Sequence, residues 1–117
     1  MISGLNSALS GLQAVGTKVE NNANNVANLN SDGFKKGRVI LSERAPQGVK
    51  ANFEKVNTPG SYQIEETNNG QEMVEKSNVD LGEEMPEMIM NKHTYSANLK
   101  TIETVDEMMG QLLNTKA

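Results

Sequence analysis

A heptad pattern near the start of the chain is the feature that most constrains its fold. Apolar or small side chains recur in alternating steps of three and four residues, at Ile2, Leu5, Leu9, Leu12, Gly16, Val19, Ala23 and Val26. This spacing places them on one stripe of a helix and does not fit the two-residue alternation of a strand. We predict a helix from about Ser3 to Asn28, with this heptad stripe packed against another helix.

The predicted helix is poorly suited to exist alone in water. It contains Gly4, Gly11 and Gly16, and each glycine costs about 1 kcal/mol relative to alanine inside a helix. Gly16 and Ala23 would also allow another backbone to approach closely. We therefore expect this helix to be stable only when other protein surrounds it.

A second helical pattern fills the last third of the chain. Its apolar residues, here called the C-terminal stripe, are Leu81, Met85, Met88, Tyr95, Leu99, Ile102, Met109 and Leu113. Asp80 and Glu83 resemble a capping box, whereas Pro86 would kink a helix that had already begun. We predict a regular helix at about 84–114, preceded by a looser turn.

The segment between the helices is predicted to form short strands. Residues 38–42 and 49–56 are rich in apolar and β-branched side chains, and the turn signal Ala45-Pro46-Gln47-Gly48 separates them, which predicts a hairpin. A further short strand is predicted at 62–66, and Asn68-Asn69-Gly70 is interpreted as a break.

The predicted fold class is therefore mainly α with a small β hairpin. Long N- and C-terminal helices would pair as a coiled coil, joined by a short β-rich connector. We predict a discontinuous terminal-helix domain of residues 1–32 plus 77–117, and a connector segment of residues 33–76.

Composition argues against catalysis. The chain has no cysteine for a disulfide or thiolate, and its single histidine, His93, is interpreted as an exposed helix residue. The acidic groups around Glu84 and at 106–107 lack a partner base or a glycine-rich phosphate loop, so we interpret them as solvated helix faces. A net charge of −4 disfavours nucleic-acid binding. We expect no enzyme activity, no cofactor and no bound metal.

The sequence also bears on location. No segment has the roughly 20 mostly apolar residues of a membrane span. The uncharged run Met1–Thr17 lacks the positive start and compact apolar block of a cleaved signal peptide. These features predict a cytoplasmic chain, or one exported by a route that leaves its start uncut.

Both ends of the chain resemble one protein family. The run Asn24-Asn25-Val26-Ala27-Asn28, followed by Ser31 and Gly33-Phe34-Lys35, is similar to the N-terminal signature of bacterial flagellar rod and hook proteins. Residues 77–85, 88–89, 95–98 and 104–108 resemble the family's C-terminal block. The positions that carry the motif are Asn24, Asn25, Ala27, Asn28, Gly33, Phe34, Lys35, Asn78, Asp80, Glu84, Asn98 and Asp106.

The resemblance implies a structural axial subunit of the flagellum, located in the periplasmic span of the basal-body rod after cytoplasmic synthesis. Only residues 44–76 separate the two similar blocks, which is most like the small proximal-rod proteins. Export by the flagellar type III apparatus and polymerisation through the terminal helices are further implications. The implied partners are copies of this chain, other rod and hook axial proteins and the export apparatus, without a nucleic acid or small-molecule substrate. A soluble helical adaptor or export-linked regulator of flagellar assembly is the alternative.

Several motif residues have more local interpretations. We interpret the asparagines of 21–28 as amides that hydrogen-bond to neighbouring backbones in a packed assembly, with a solvated helix face as the alternative. Gly33 is predicted to stop the first helix in a left-handed conformation, and Phe34 to anchor a subunit contact. The basic cluster of residues 35–38 is interpreted as a solvated turn, or as a partner for the acidic C-terminal region of the next subunit.

Overall fold

The structure is a computed structural model that describes residues 2–116, so Met1 and Ala117, at the ends of the predicted terminal-helix domain, lie outside the described residues. It is an elongated molecule of 81 × 24 × 20 Å. In chain order its elements are α1 (Ile2–Ala27), β1 (Gly37–Glu43), β2 (Val49–Lys55), β3 (Tyr62–Thr67), β4 (Gly70–Glu75) and α2 (Leu81–Lys116). The mainly helical class with a small hairpin is confirmed, whereas pairing of the helices as a coiled coil stays a prediction.

The two helices lie side by side and run antiparallel. Toward the end of α1, Lys18 forms an ion pair with Glu87 at 3.4 Å. Further back along α1, Gly11 lies against the side chain of Asn98. The contacts therefore move toward the end of α2 as they move toward the start of α1. Within the described residues, neither helix is long and apolar enough to cross a membrane.

The buried face of α1 is not the predicted heptad stripe. Its buried residues are mostly small or polar, at Ala8, Ser10, Gly11, Ala14, Val15, Asn22 and Asn25. The physical reason is that α1 packs against α2 and against the β1–β2 hairpin at the same time, and small side chains allow both to approach closely. The heptad stripe is left half-buried or exposed, with Ile2 68% exposed.

The first helix ends at Ala27, close to the predicted Asn28. Gly33 has the predicted left-handed conformation, with φ at +69°, but it lies six residues beyond the helix and does not close it. Instead, its N–H donates to the carbonyl of Glu75 at 2.8 Å. The positive φ therefore turns the chain toward β4.

The second helix begins at Leu81, three residues before the predicted start. Asp80 caps it, because its Oδ1 accepts a hydrogen bond from the N–H of Gly82 at 2.8 Å. Pro86 lies inside the helix as its sixth residue. Its missing N–H removes one bond, the one to the carbonyl of Gly82, and the helix continues.

The four strands form two separate antiparallel hairpins. The first hairpin, β1–β2, is the predicted one, with Val39 opposite Phe53. The second hairpin, β3–β4, places Ile64 opposite Met73. Strand β4 was not predicted. The segment Asn68-Asn69-Gly70, which was interpreted as a break, is the turn of this hairpin, and Gly70 has φ at +115°.

The second hairpin stands apart from the rest of the molecule. Among the described residues, no Cα of β3 or β4 lies within 8 Å of a Cα in α1, α2, β1 or β2. In the described part of the chain, the hairpin is held at its base, where the N–H of Gly33 donates to the carbonyl of Glu75 at 2.8 Å and Lys76 forms an ion pair with Asp32 at 2.7 Å. Gly60 is required at this base, because a Cβ there would overlap the carbonyl of Lys76.

Candidate assembly site

Four polar side chains are buried where the two helices meet. Asn22 and Asn25 of α1 have no exposed surface, and Glu84 and Asn91 of α2 are each 4% exposed. We call this group the buried amide–carboxylate cluster. Since buried polar atoms are costly unless they are hydrogen-bonded, the partners of these four side chains decide how the helices fit together.

The hydrogen bonds of the cluster run between the helices. Asn22 Nδ2 donates to Glu84 Oε2 at 2.7 Å, and Asn25 Nδ2 donates to Glu84 Oε1 at 3.2 Å. Asn91 Nδ2 donates to Asn22 Oδ1 at 2.7 Å. Because each bond requires one particular residue on the opposite helix, the cluster fixes the register of α1 against α2.

The same cluster holds the first hairpin through the backbone of Gly37. Asn25 Oδ1 accepts from the N–H of Gly37 at 2.9 Å, and Asn25 Nδ2 donates back to its carbonyl at 2.9 Å. Asn21 Nδ2 donates to that carbonyl as well, at 2.9 Å. A Cβ at position 37 would overlap the Oδ1 of Asn21 and the ring of Phe53, so only glycine fits this contact.

Glu84 is a buried carboxylate that is stabilised by dipoles. No lysine, arginine or histidine nitrogen of residues 2–116 lies within 4 Å of it. The amides of Asn22 and Asn25 and the N-terminal end of α2, where Glu84 is the fourth residue, favour its negative charge. The prediction of a solvated face is therefore wrong for Glu84, although Glu83 and the residues at 106–107 are exposed.

The arrangement is suited to positioning and not to chemistry on a substrate. Both carboxylate oxygens of Glu84 are occupied by amide donors, and the side chain has almost no exposed surface. Within the described residues, no group of three or more His, Asp or Glu side chains is placed to hold a metal ion. His93 is exposed, as predicted.

The asparagine run divides into two kinds of residue. Asn22 and Asn25 bond within their own chain, as described above. Asn24 is exposed, and its carbonyl accepts from Asn28 Nδ2 at 2.9 Å in the same helix. Four of the five amides predicted to bond with neighbours in an assembly, those of Asn21, Asn22, Asn25 and Asn28, thus already form hydrogen bonds within a single chain.

The basic cluster of residues 35–38 is also satisfied within the chain. Lys36 Nζ forms an ion pair with Glu83 at 2.8 Å, Lys35 pairs with Glu75, and Arg38 pairs with Glu54. Their acidic partners in this structure lie in the same molecule, and pairing of these cations with the next subunit stays a prediction.

Asn78 joins the connector to the start of α2. Its Oδ1 accepts from the N–H of Lys36 at 2.6 Å, and its Nδ2 donates to the carbonyls of Val56 at 2.8 Å and Thr58 at 3.0 Å. Sequence motifs singled out Asn78 but gave no reason for it. The structure places it as a clamp between the ends of the first hairpin.

Charged pairs at the base of the second hairpin shift two pKa values. The hydrogen bond from Lys35, followed by that from the N–H of Gly60, lowers the pKa of Glu75 below its usual 4.5. Hydrogen bonds to Asp32 and then to Glu65 raise the pKa of Lys76 above its usual 10.5. Both shifts favour the charged forms that hold the hairpin to the body.

Much of the apolar surface of the two helices is left uncovered. Where α1 begins and α2 ends, here called the open end of the helix pair, an apolar groove of about 820 Å³ is lined chiefly by Ile2, Met109, Leu112 and Leu113. In the C-terminal stripe, Met88 and Ile102 are half-buried, and the other members are exposed, with Leu113 at 70%. Large exposed apolar surfaces are typical of sites where a protein contacts other molecules.

Residues 71–115 match the family model described as flagellar basal body rod FlgEFG protein C-terminal. This segment belongs to the flagellar basal-body rod family. The rod-family segment comprises nearly all of β4 and α2 and includes Asn78, Glu84 and Asn91. No curated protein matches the chain. The match to this family supports a structural role for the chain in the basal-body rod and a location in the basal body of the flagellum.

Proposed function

We propose that this chain is an axial subunit of the basal-body rod, of the small proximal-rod type, which is exported by the flagellar type III apparatus and polymerises through its terminal helices. The observation that carries the proposal is the exposed C-terminal stripe on a helix that matches the rod family. A structural rod subunit needs such a surface, whereas an isolated helix pair would bury it.

The contacts between α1 and α2 support this proposal. The buried residues of the two helices are amides, one carboxylate, one valine and small side chains, whereas their leucine, isoleucine and methionine side chains are half-buried or exposed. Burial of one such large apolar side chain is worth about 1.5–3 kcal/mol, so neighbouring subunits would gain most of this energy. The buried amide–carboxylate cluster would hold both helices in one register, so that they present a single surface.

In this proposal the terminal-helix domain, residues 1–32 plus 77–117, forms the polymerising part, and the connector of residues 33–76 faces outward. Its partners are copies of the chain, other rod and hook axial proteins and the export apparatus, in the periplasmic span of the rod. Phe34, which is half-buried, would complete its burial in a subunit contact. The contacts are heterologous, which builds an open helical assembly.

Gene disruption and complementation test the proposal. The disrupted strain should lack motility and complete basal bodies by electron microscopy. The unaltered gene should restore both, whereas Leu113→Asn at an equal protein level should not. Intact, rotating flagella in the disrupted strain would contradict the rod role. A stable, finite dimer that never forms larger assemblies would favour the adaptor or regulator instead.

A further inference from the structure

We propose that the second hairpin of one copy docks into the cleft between the start of α1 and the turn of the first hairpin of the next copy. This contact deepens the proposed function and rests on it, because it assumes that copies of the chain assemble. The occupant of the cleft is a second copy of the chain, because two distant surfaces of the same molecule are complementary in charge and in apolar character.

The second hairpin exposes an apolar face that its own chain does not cover. Ile64 and Met73, directly opposite each other across the strands, are 69% and 71% exposed. Tyr62 and Glu66 lie two residues to either side of Ile64 and therefore on the same face. We call these four residues the hairpin face. Since a two-stranded hairpin alone is at best marginally stable in water, a partner on this face would stabilise it.

This hairpin is also strongly acidic. Residues 62–75 contain four glutamates and no lysine or arginine. Glu65 lies directly opposite Glu72, and like charges in that position are unfavourable. Glu66 and Glu72 have no cationic partner within 4 Å among residues 2–116. Of these two, Glu66 lies on the hairpin face and Glu72 on the opposite face of the hairpin, so a cation supplied by another molecule would be favoured beside Glu66.

The cleft has the complementary composition. It has a volume of about 420 Å³, and its walls include Leu9, Ser10, Gln13, Arg44, Pro46 and Gln47. Leu9 is exposed, and Arg44 has no acidic partner within 4 Å in the described part of the chain. Most residues that line the cleft are polar, but its few apolar residues lie beside an unpaired guanidinium, which suits a surface that combines Ile64 and Met73 with Glu66.

The two surfaces cannot meet within one molecule as it is folded. The cleft lies beside the first turns of α1, near Ser10, whereas the second hairpin is joined beyond the end of α1 at Ala27. These points are about 25 Å apart along the helix, from the rise of about 1.5 Å per residue. The hairpin also packs against no other element of the described chain. Contact between the two different surfaces is therefore intermolecular and heterologous, and it can repeat without closing.

The contact should be weak by itself. A hairpin face of four side chains covers far less than the roughly 1,200 Å² of a stable interface. It would therefore add to the packing of the helices in an assembly and would not hold a dimer together in dilute solution.

Cysteine cross-linking tests the contact directly, because the natural chain has no cysteine. Ile64→Cys and Gln47→Cys are made singly and together, and the concentrated or assembled protein is treated with a short bismaleimide. The mixed single variants should give a cross-linked dimer, and the double variant a ladder of multimers. Each single variant alone should give neither. Ile64→Cys combined with His93→Cys, at an exposed site on α2, is the matched control and should not cross-link.

Charge exchange gives a second readout. Glu66→Arg in the Ile64→Cys chain, or Arg44→Glu in the Gln47→Cys chain, should lower the yield of mixed dimer about threefold, as expected for an exposed ion pair. The two changes together should restore the yield. Absence of any cross-link between positions 64 and 47 overturns the docking, as does dimerisation of Ile64→Cys alone, which would show hairpins paired with each other.

The outcomes separate this inference from the rod role. Chains that assemble and restore motility but never cross-link at these positions would leave the rod role standing and remove the docking. Chains that cross-link in concentrated solution but fail to restore motility would retain the docking and remove the rod role.

Discussion

Asn22 and Glu84 are separated by 62 positions in the sequence, yet the amide of one donates to the carboxylate of the other at 2.7 Å. This bond joins the N-terminal helix to the helix of the rod-family segment. It lies in the interior, where a hydrogen bond to a charged group contributes about 1.5–3 kcal/mol. The relative placement of the two terminal helices therefore depends in part on a polar contact in the interior.

Replacement of Glu84 should be among the most costly single changes in the chain. Glu84→Gln keeps the shape but turns one acceptor into a donor, which then faces the amide of Asn22 or Asn25. We expect a loss of about 1–3 kcal/mol in the free energy of unfolding, measured by urea denaturation followed by circular dichroism.

Glu87→Gln is the matched control for this change. Glu87 lies one turn further along the same helix and forms a partly exposed ion pair with Lys18 at 3.4 Å, so its loss should cost less than about 1 kcal/mol. Equal effects of the two substitutions would show that the buried amide–carboxylate cluster does not hold the helices together.

Two glycine substitutions should have opposite effects on stability. Gly37→Ala would force the new methyl group against Asn21 and Phe53, which should destabilise the chain by about 1–3 kcal/mol. In Gly16→Ala the new methyl group meets nothing within 4 Å, and the better helix propensity should stabilise α1 by about 1 kcal/mol. Thermal unfolding of both variants beside the natural chain measures the difference.

Gly16→Ala also tests assembly. If another backbone approaches α1 at this glycine, as predicted from the sequence, the variant should be a more stable monomer that polymerises less well, as seen by sedimentation. A variant that is both more stable and equally able to assemble would exclude close packing at Gly16.

The open end of the helix pair should matter for assembly and not for folding. Leu113→Asn alters a side chain that is 70% exposed, so stability should change by no more than about 0.5 kcal/mol. Assembly should be lost, because the apolar groove would gain a polar group. Asn114→Gln, at the exposed neighbouring position, is the control and should assemble normally under the electron microscope.

The attachment of the second hairpin to the rest of the chain should weaken at acidic pH. The pKa of Glu75 is lowered in the folded chain by Lys35 and by the N–H of Gly60. Its contribution to stability is therefore complete above its ordinary pKa of 4.5 and is lost as the pH falls through the lower folded value. Amide hydrogen exchange at Gly60 should become faster at acidic pH than the intrinsic pH dependence explains.

Glu75→Gln should show weaker protection at neutral pH and no additional loss in acid. Glu72→Gln changes a neighbouring glutamate that has no cationic partner within 4 Å among the described residues, and it should retain the acid-dependent step. The same behaviour in both variants would remove Glu75 as the cause.

The spacing of apolar residues was sufficient to predict the two helices and the first hairpin, because these elements depend on residues that are close together in the sequence. The steps of three and four residues predicted α1 to within a residue or two at each end. Strand β4 was missed because Met73 and Val74 are its only large apolar residues, and a strand that packs against no other element shows no pattern of burial.

The buried residues of the candidate site could not be predicted from local spacing. Glu84 stands in an acidic run where nothing local separates it from Glu83, and its burial depends on asparagines about 60 residues earlier. The heptad stripe was identified as apolar, but which face of α1 would be buried depended on the first hairpin, whose position the sequence did not reveal.

The buried amide–carboxylate cluster lies near one end of the antiparallel pair, between residues 22–25 of α1 and 84–91 of α2. From Gly11 and Asn98 outward, the described residues show no side-chain hydrogen bond or ion pair that joins the helices. The polar contacts that fix the register of the two helices are therefore concentrated at one end of the pair. At the other end packing alone would set the spacing of the helices, so a change of spacing there would break no hydrogen bond or ion pair between their described residues.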